Sequence, residues 1–191
     1  MVEAPGDARL SDEELLSRIA QQDSGAFTLL MRRHGERVRG LALHFSGRAA
    51  DADDITQDVF IMLWRKPGAW TPGAAQFSTW LYRVVANRCL DQARRQRFRR
   101  FISFGAIEDP ADDSPSAFDE TSSRDRLAKV RNMIRALPEK QRLALLLSVQ
   151  SEKTNAEIGS ILGISEGAAE QLLVRARRTL RARMEQKESV G

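Results

Sequence analysis

The chain has 191 residues, 42% apolar, 29% charged and 6% aromatic, with a formal net charge of +4. This is an ordinary globular composition, which excludes wholesale disorder and fibrous structure. Its single cysteine, Cys89, excludes an intramolecular disulfide framework and a cysteine-based zinc finger. Twelve glycines and six prolines are too few for a sandwich or barrel of many short strands. The two histidines, His34 and His44, would lie about 80° apart on one helix, a poor metal pair. The N-terminus shows no signal-peptide pattern, and no apolar run approaches the roughly 20 residues that span a bilayer. The expected location is cytoplasmic.

In chain order, Ser11-Asp12-Glu13-Glu14 is a capping box ahead of Leu15, Leu16 and Ile19. A second helix is expected from about Ser24 through Leu43, stopping at Gly47. A third runs from about Asp51 to Lys66, before Pro67-Gly68. On it Ile55, Val59 and Met62 form one face. Phe60 and Trp64 stand opposite, beside Asp53 and Gln57, so the helix is either sandwiched in its domain or docked on a partner. Periodicity alone favours the sandwich. A fourth helix follows Thr71-Pro72-Gly73 and continues to about Phe101. Phe77, Leu81, Val84 and Val85 face a core, and Thr79, Arg83, Asn87 and Arg94 lie on the other side with Trp80 at the edge. Aromatics interleaved with arginines suit single-stranded nucleic acid, although a core helix with a solvated polar face fits equally well.

Residues 103–125 carry one Arg and seven acids, two prolines and no apolar period, which marks a flexible acidic linker. The flanking segments are net basic, and 25 of the 30 basic residues are Arg. Arginine favours planar contact with phosphate and base edges, although a GC-rich genome would also raise its frequency.

Helical periodicity resumes at Leu127, and Pro138 suits the first turn of the next helix. In TNAEIGSILGISEGAAEQLLVRARRTL, residues 154–180, Thr154 and Glu157 form a second capping box. Gly163 ends that helix, and Ser165 caps another whose apolar face is Ala169, Leu172, Leu173, Ala176 and Leu180. Two short amphipathic helices around a glycine turn make a helix-turn-helix. Gln171, Arg175 and Arg178 point away from the apolar face, and Arg177, Arg181 and Arg183 extend the positive charge. A helical hairpin with a solvated basic face would show the same pattern. The predicted fold is therefore all-α: two helical domains, residues 10–102 and 126–185, joined by the linker, the second a helix-turn-helix.

The segments DADDITQDVFIMLWR, FSTWLYRVVANRCLDQARR, LPEKQRLALLL and residues 154–180 resemble, in order and spacing, the extracytoplasmic-function sigma factors of the bacterial sigma-70 superfamily. The resemblance spans about residues 10–184 except the linker. It implies a promoter-specificity subunit of RNA polymerase, and not an enzyme, with no cofactor and no metal. Asp53, Asp54, Gln57, Asp58, Phe60 and Trp64 match the helix that docks on the polymerase clamp. Phe77, Thr79, Trp80, Arg83, Asn87, Arg94 and Arg95 match the segment that opens the minus-10 element and captures bases. The second domain matches the minus-35 reader. Many members carry T-V-K-S-R-L where this chain has Ala168-Ala169-Glu170-Gln171-Leu172-Leu173, so the expected readers shift to Ser165, Gln171, Arg175 and Arg178. The implied partners are core RNA polymerase, promoter DNA and an anti-sigma factor, often membrane-anchored. A free-standing helix-turn-helix regulator is the alternative, and would need neither the Phe60/Trp64 surface nor Trp80. A recombinase would need a nucleophile and acid/base set that is not found.

Overall fold

A computed structural model describes residues 10–73, 75–102 and 122–188. Among them are eight α-helices, one 3-10 turn and no strand. The N-terminal four are α1 (Asp12–Ala20), α2 (Ser24–Ser46), α3 (Ala49–Arg65) and α4 (Phe77–Ile102). The C-terminal four are α5 (Ser122–Arg135), α6 (Glu139–Gln150), α7 (Asn155–Leu162) and α8 (Glu166–Glu188).

The helix boundaries follow local chemistry. Ser11 Oγ accepts from the Glu14 amide, and the Glu14 carboxylate accepts from the Ser11 amide, closing the expected box. Asp23 accepts from the amides of Gly25 and Ala26 to start α2, and Gly47 ends it at φ 75°, a left-handed conformation natural to glycine. α3 starts at Ala49 rather than Asp51, so Asp51 falls in its first turn. There Asp51 is buried and accepts from Gln96 Nε2 at 2.9 Å, tying α3 to α4. The acidic stretch 103–121 lies outside the described residues. α5 begins at Ser122, inside the expected linker, because no glycine or proline interrupts residues 116–137.

The first domain packs α2 against α1, α3 and α4. Leu15, Ile19, Leu30, Val38, Leu41, Ala42, Val59, Leu63, Val85 and Cys89 are at most 1% exposed. In the second domain α8 packs on α6 and α7, through Leu143, Leu147, Ile158, Ile161, Ala169 and Leu173. The two domains touch one another. α4 lies against α7 and α2 against α6, and the principal apolar cluster runs through both domains.

α7 and α8 meet at a tight turn. A Cβ on Gly159 would lie 2.9 Å from the Ile164 carbonyl oxygen and 3.3 Å from Ser165 C and Glu166 N. These are backbone atoms that cannot swing aside. A Cβ on Gly35, inside α2, would meet nothing within 4 Å. Glycine to alanine inside a helix ordinarily stabilises by about 0.5–1 kcal/mol. Gly35→Ala should therefore raise the melting temperature. Gly159→Ala should lower it, by the roughly 1–3 kcal/mol of an overpacked contact. Equal rises in calorimetry for both variants would contradict this account of the turn.

Candidate nucleic-acid interface

Three surfaces carry the residues singled out from the sequence. The first is α3. Asp53, Asp54, Gln57 and Asp58 are exposed, and Asp53 accepts from Arg39 Nε at 2.6 Å. Phe60 is not on this surface. It is 2% exposed, with its ring edge-on to Phe27 at 6.3 Å. Trp64 is half-buried, tilted against the same Phe27 at 5.1 Å. Ile61, which the sequence reading passed over, is 39% exposed. At 100° per residue it sits within about 20° of Asp54, between Gln57 and Asp58. The face is thus an apolar centre ringed by carboxylates. Its signal was present in the spacing 54, 57, 58, 61, but the bulkier aromatics hid it.

The second surface is the start of α4 and the loop before it. Trp70 is buried and donates from Nε1 to the Ala75 carbonyl at 3.0 Å, folding the loop back on itself. Phe77 is 4% exposed, edge-on to Trp70 at 5.7 Å and to His34 at 5.4 Å. Trp80 stacks on Phe77 at 5.8 Å with the planes 27° apart, and is itself half-buried. Phe77 is therefore the buried support, and Trp80 lies on it with part of its ring exposed. Arg83, Asn87, Arg94 and Arg95 are exposed. Thr79 was expected on the open side of α4 but is 8% exposed. One turn on, Tyr82 is 7% exposed beneath Lys153, whose Nζ lies 5.7 Å from the ring centre, and Arg83 reaches the second domain. Packing of α7 on α4 has closed that side.

The platform rests on an ion pair. His34 Nε2 donates to Asp12 Oδ2 at 2.9 Å, and Arg33 Nη1 donates to Asp12 Oδ1 at 2.5 Å. Burial alone would raise the Asp12 pKa. Hydrogen bonds from His34 and Arg33 outweigh it and hold the carboxyl below its ordinary value. Cys89, by contrast, is buried and its thiol is pushed up to about 12 by desolvation, which leaves it inert as a nucleophile.

The third surface is α8. Ser165 Oγ accepts from the Ala168 amide at 3.2 Å and starts the helix. Gln171, Arg175 and Arg178 are exposed and share an arc of about 60° opposite buried Ala169. Lys140, at the start of α6, lines a shallow depression with Ala168, Gln171 and Arg175. It adds a cation that no local pattern could place there. Arg183 does not extend the basic face. It donates to the carbonyls of Met133 and Ala136 at 3.1 and 3.3 Å, satisfying the last turn of α5. Among the described residues no group of three metal-ligating side chains gathers, and no helix is long and apolar enough to cross a membrane.

Comparison with known proteins gives these surfaces a context. Sigma-70 region 2 matches residues 30–99, and Sigma-70, region 4 matches residues 127–180. RNA polymerase sigma factor NccH of Alcaligenes xylosoxydans xylosoxydans is 35% identical over 90% of this chain and 93% of its own. ECF RNA polymerase sigma factor SigM of Mycobacterium tuberculosis is 32% identical over 89% and 83%. The structure of CnrH in complex with the cytosolic domain of CnrY superposes with TM-score 0.68 at 25% identity, covering 92% of this chain and 97% of that one.

The lowered Asp12 pKa has a consequence for stability. A carboxyl whose pKa is depressed on folding stabilises fully above its unfolded value, near pH 4, and the contribution is lost as pH falls through the folded value. Asp12→Asn should lower stability at neutral pH by up to about 1 kcal/mol, since the pair is partly solvated. The gap from the parent protein should close below about pH 4. A gap that is constant with pH in denaturant melts would remove the ion pair from the account.

Proposed function

The chain belongs to the extracytoplasmic-function sigma factors of the sigma-70 family, and we propose that it binds core RNA polymerase and directs it to a small set of stress-type promoters. It makes and breaks no covalent bond, and it acts where the polymerase does, in the cytoplasm. The acid-ringed Ile61 face of α3, with Asp53, Asp54, Gln57, Asp58 and the edge of Trp64, docks on the polymerase. Phe60 supports that face from beneath.

Trp80, laid on the buried Phe77, carries the reading. A protein that reads only closed duplex has no use for an aromatic ring held ready on a rigid helix. A melting factor does, because an unstacked base needs a surface to replace its neighbours. Arg83, Asn87, Arg94 and Arg95 continue along α4 toward the strand's phosphates. Gln171, Arg175 and Arg178 enter the major groove at the minus-35 element, with Lys140 and Ser165 at the margin. The relative CnrH is known in complex with the cytosolic domain of CnrY. We extend an anti-sigma partner of that kind to this chain.

Co-elution with purified core polymerase on size-exclusion chromatography tests the central claim. Ile61→Asp should abolish it and leave melting unchanged, as expected for an anchor at the centre of an interface, worth about 2 kcal/mol or more. Phe60→Ala should instead cost about 3–5 kcal/mol of folding stability. If Ile61→Asp co-elutes like the parent, α3 is not the docking helix.

Trp80→Ala should reduce open-complex formation on duplex promoters, by the roughly 1–3 kcal/mol that one stacked base is worth. A pre-melted bubble should restore most of the loss. An unchanged opening rate at limiting polymerase would remove Trp80 from melting. On duplex DNA, Arg178→Ala should lower the salt slope by about one unit on every sequence. Gln171→Ala should relax preference at one base pair, at about 1–3 kcal/mol. Identical behaviour of the two variants would refute the division of labour on α8.

A further inference from the structure

Outside the three surfaces described above, a polar cleft of about 330 Å³ lies between the end of α2, the middle of α4 and the start of α6. Among the side chains that line it are Gln92, Arg97, Arg135, Glu139 and Arg142. Arg97 and Arg135 are exposed and Arg142 is half-buried.

Helix ends draw these arginines in. Arg142 Nη1 donates to the Phe45 carbonyl in the last turn of α2 at 2.7 Å, and Nη2 to the Leu137 carbonyl at 3.1 Å. The same guanidinium lies 4.8 Å over the Phe45 ring. Arg135 lies across Gly47, where a Cβ would come within 2.5 to 2.9 Å of its side chain. The glycine that stops α2 therefore also makes room for a guanidinium. Arg135 Nη2 donates to Asn132 Oδ1 at 2.7 Å, and Arg97 pairs with Glu139.

These contacts do not exhaust the cluster. Three guanidiniums line the cleft against one carboxylate, Glu139, which Arg97 already engages. The next acid, Asp51, meets the lining only through Gln96, which donates to it at 2.9 Å, and it has Arg48 at 4.0 Å. Two atoms of the lining side chains, Arg142 Nε and Gln92 Oε1, are buried and make no hydrogen bond among the described residues. A buried donor on a charged group is costly to leave without an acceptor. Burial pushes the Arg142 pKa down; Glu139 opposes the shift and Arg135 adds to it.

We propose that this cleft is a binding site for a small phosphorylated molecule, with its phosphate held by Arg142 Nε, Arg135 and Gln92. A phosphate fans its acceptor oxygens tetrahedrally and can take donors from several helices at once. A carboxylate is planar and suits a single fork. Gln92 can turn its amide to present Nε2, because both orientations fill the same space. The cleft sits at the small end of the range of ligand sites, about 300–1,000 Å³, which leaves room for a small organic group beyond the phosphate. The site goes beyond the transcription reading and does not rest on it.

Isothermal titration of the full chain with inorganic pyrophosphate, at fixed ionic strength, tests this, with citrate as the polycarboxylate control. Pyrophosphate should bind once per chain, roughly tenfold or more tighter than citrate. Arg135→Met removes an exposed cation, so it should leave the melting temperature of the unliganded chain nearly unchanged and weaken pyrophosphate roughly tenfold or more. Gln92→Leu removes the unpartnered oxygen and should hold or raise that melting temperature, again with weaker pyrophosphate binding. Arg178→Met, on the outward arc of α8, removes the same charge outside the cleft and should leave pyrophosphate binding as it was.

Equal losses in Arg135→Met and Arg178→Met would mean that the anion condenses on a basic surface, and would overturn the site. So would several weak sites that vanish as salt is raised. Citrate binding as tightly as pyrophosphate would overturn the phosphate assignment. A random-sequence single strand that displaces pyrophosphate, and loses its own affinity in Arg135→Met, would give the cleft to nucleic acid instead. Failure of the sigma-factor reading would appear separately, as absence of co-elution with core polymerase, since the titration uses the chain alone.

Discussion

Helix α4 is covered from two sides, and most of the molecule's behaviour follows from that. Phe77, Leu81 and Val85 lie on its face toward the first domain's core, and Tyr82 and Ala86 on the side toward the second. A helix covered twice is rigid, and its remaining exposed strip is narrow. That strip holds part of Trp80 together with Arg83, Asn87, Arg94 and Arg95. In the function we propose, the rigidity serves base capture, because a ring held on a packed platform loses little freedom when a base stacks on it. The same double burial is what places Arg83 against α7.

The platform is layered. Asp12 at the start of α1 holds Arg33 and His34, His34 meets the Phe77 ring, Phe77 supports Trp80, and Trp70 pins the loop that leads into α4. Four elements thus converge on one aromatic. The helix-turn-helix has no comparable depth. Its precision comes from the Gly159 close approach and the Gly163 turn, which leave α8 protruding with its polar arc outward. One domain layers its aromatics into depth, and the other projects a single helix with a polar arc outward.

The two halves also divide the electrostatics. The α3 face is carboxylate-rich around Ile61, while α4 beyond Arg83 and the outward arc of α8 are arginine-rich. Opposite charges thus occupy different faces of one small chain, and in the function we propose one faces a protein partner and the other a nucleic acid. Segregation of this kind steers each encounter to the correct side and leaves the apolar groups to fix register.

Whatever depends on neighbours in sequence was legible in the sequence. Both capping boxes, the glycine stops at 47 and 163, the helix-turn-helix and the outward arc of Gln171, Arg175 and Arg178 follow from backbone hydrogen bonding and a 3.6-residue period. Those causes act within a few residues. The positions misjudged by periodicity share one physical cause. Thr79, with its polar side chain, reads as solvent-facing, and Arg183 reads as part of a basic face. Phe60 is the reverse case: its period favours a sandwiched helix, as the structure has it, and only the family resemblance set it on a docking face. Thr79 is buried on the side of α4 that meets α7, Phe60 lies against Phe27 of α2, and Arg183 answers the open carbonyls of α5. Lys140 joins the α8 surface from 31 residues before Gln171. A period reports which side of a helix is apolar. It does not report how many sides other helices will cover, and at this domain seam that was decided by contacts up to 97 residues apart.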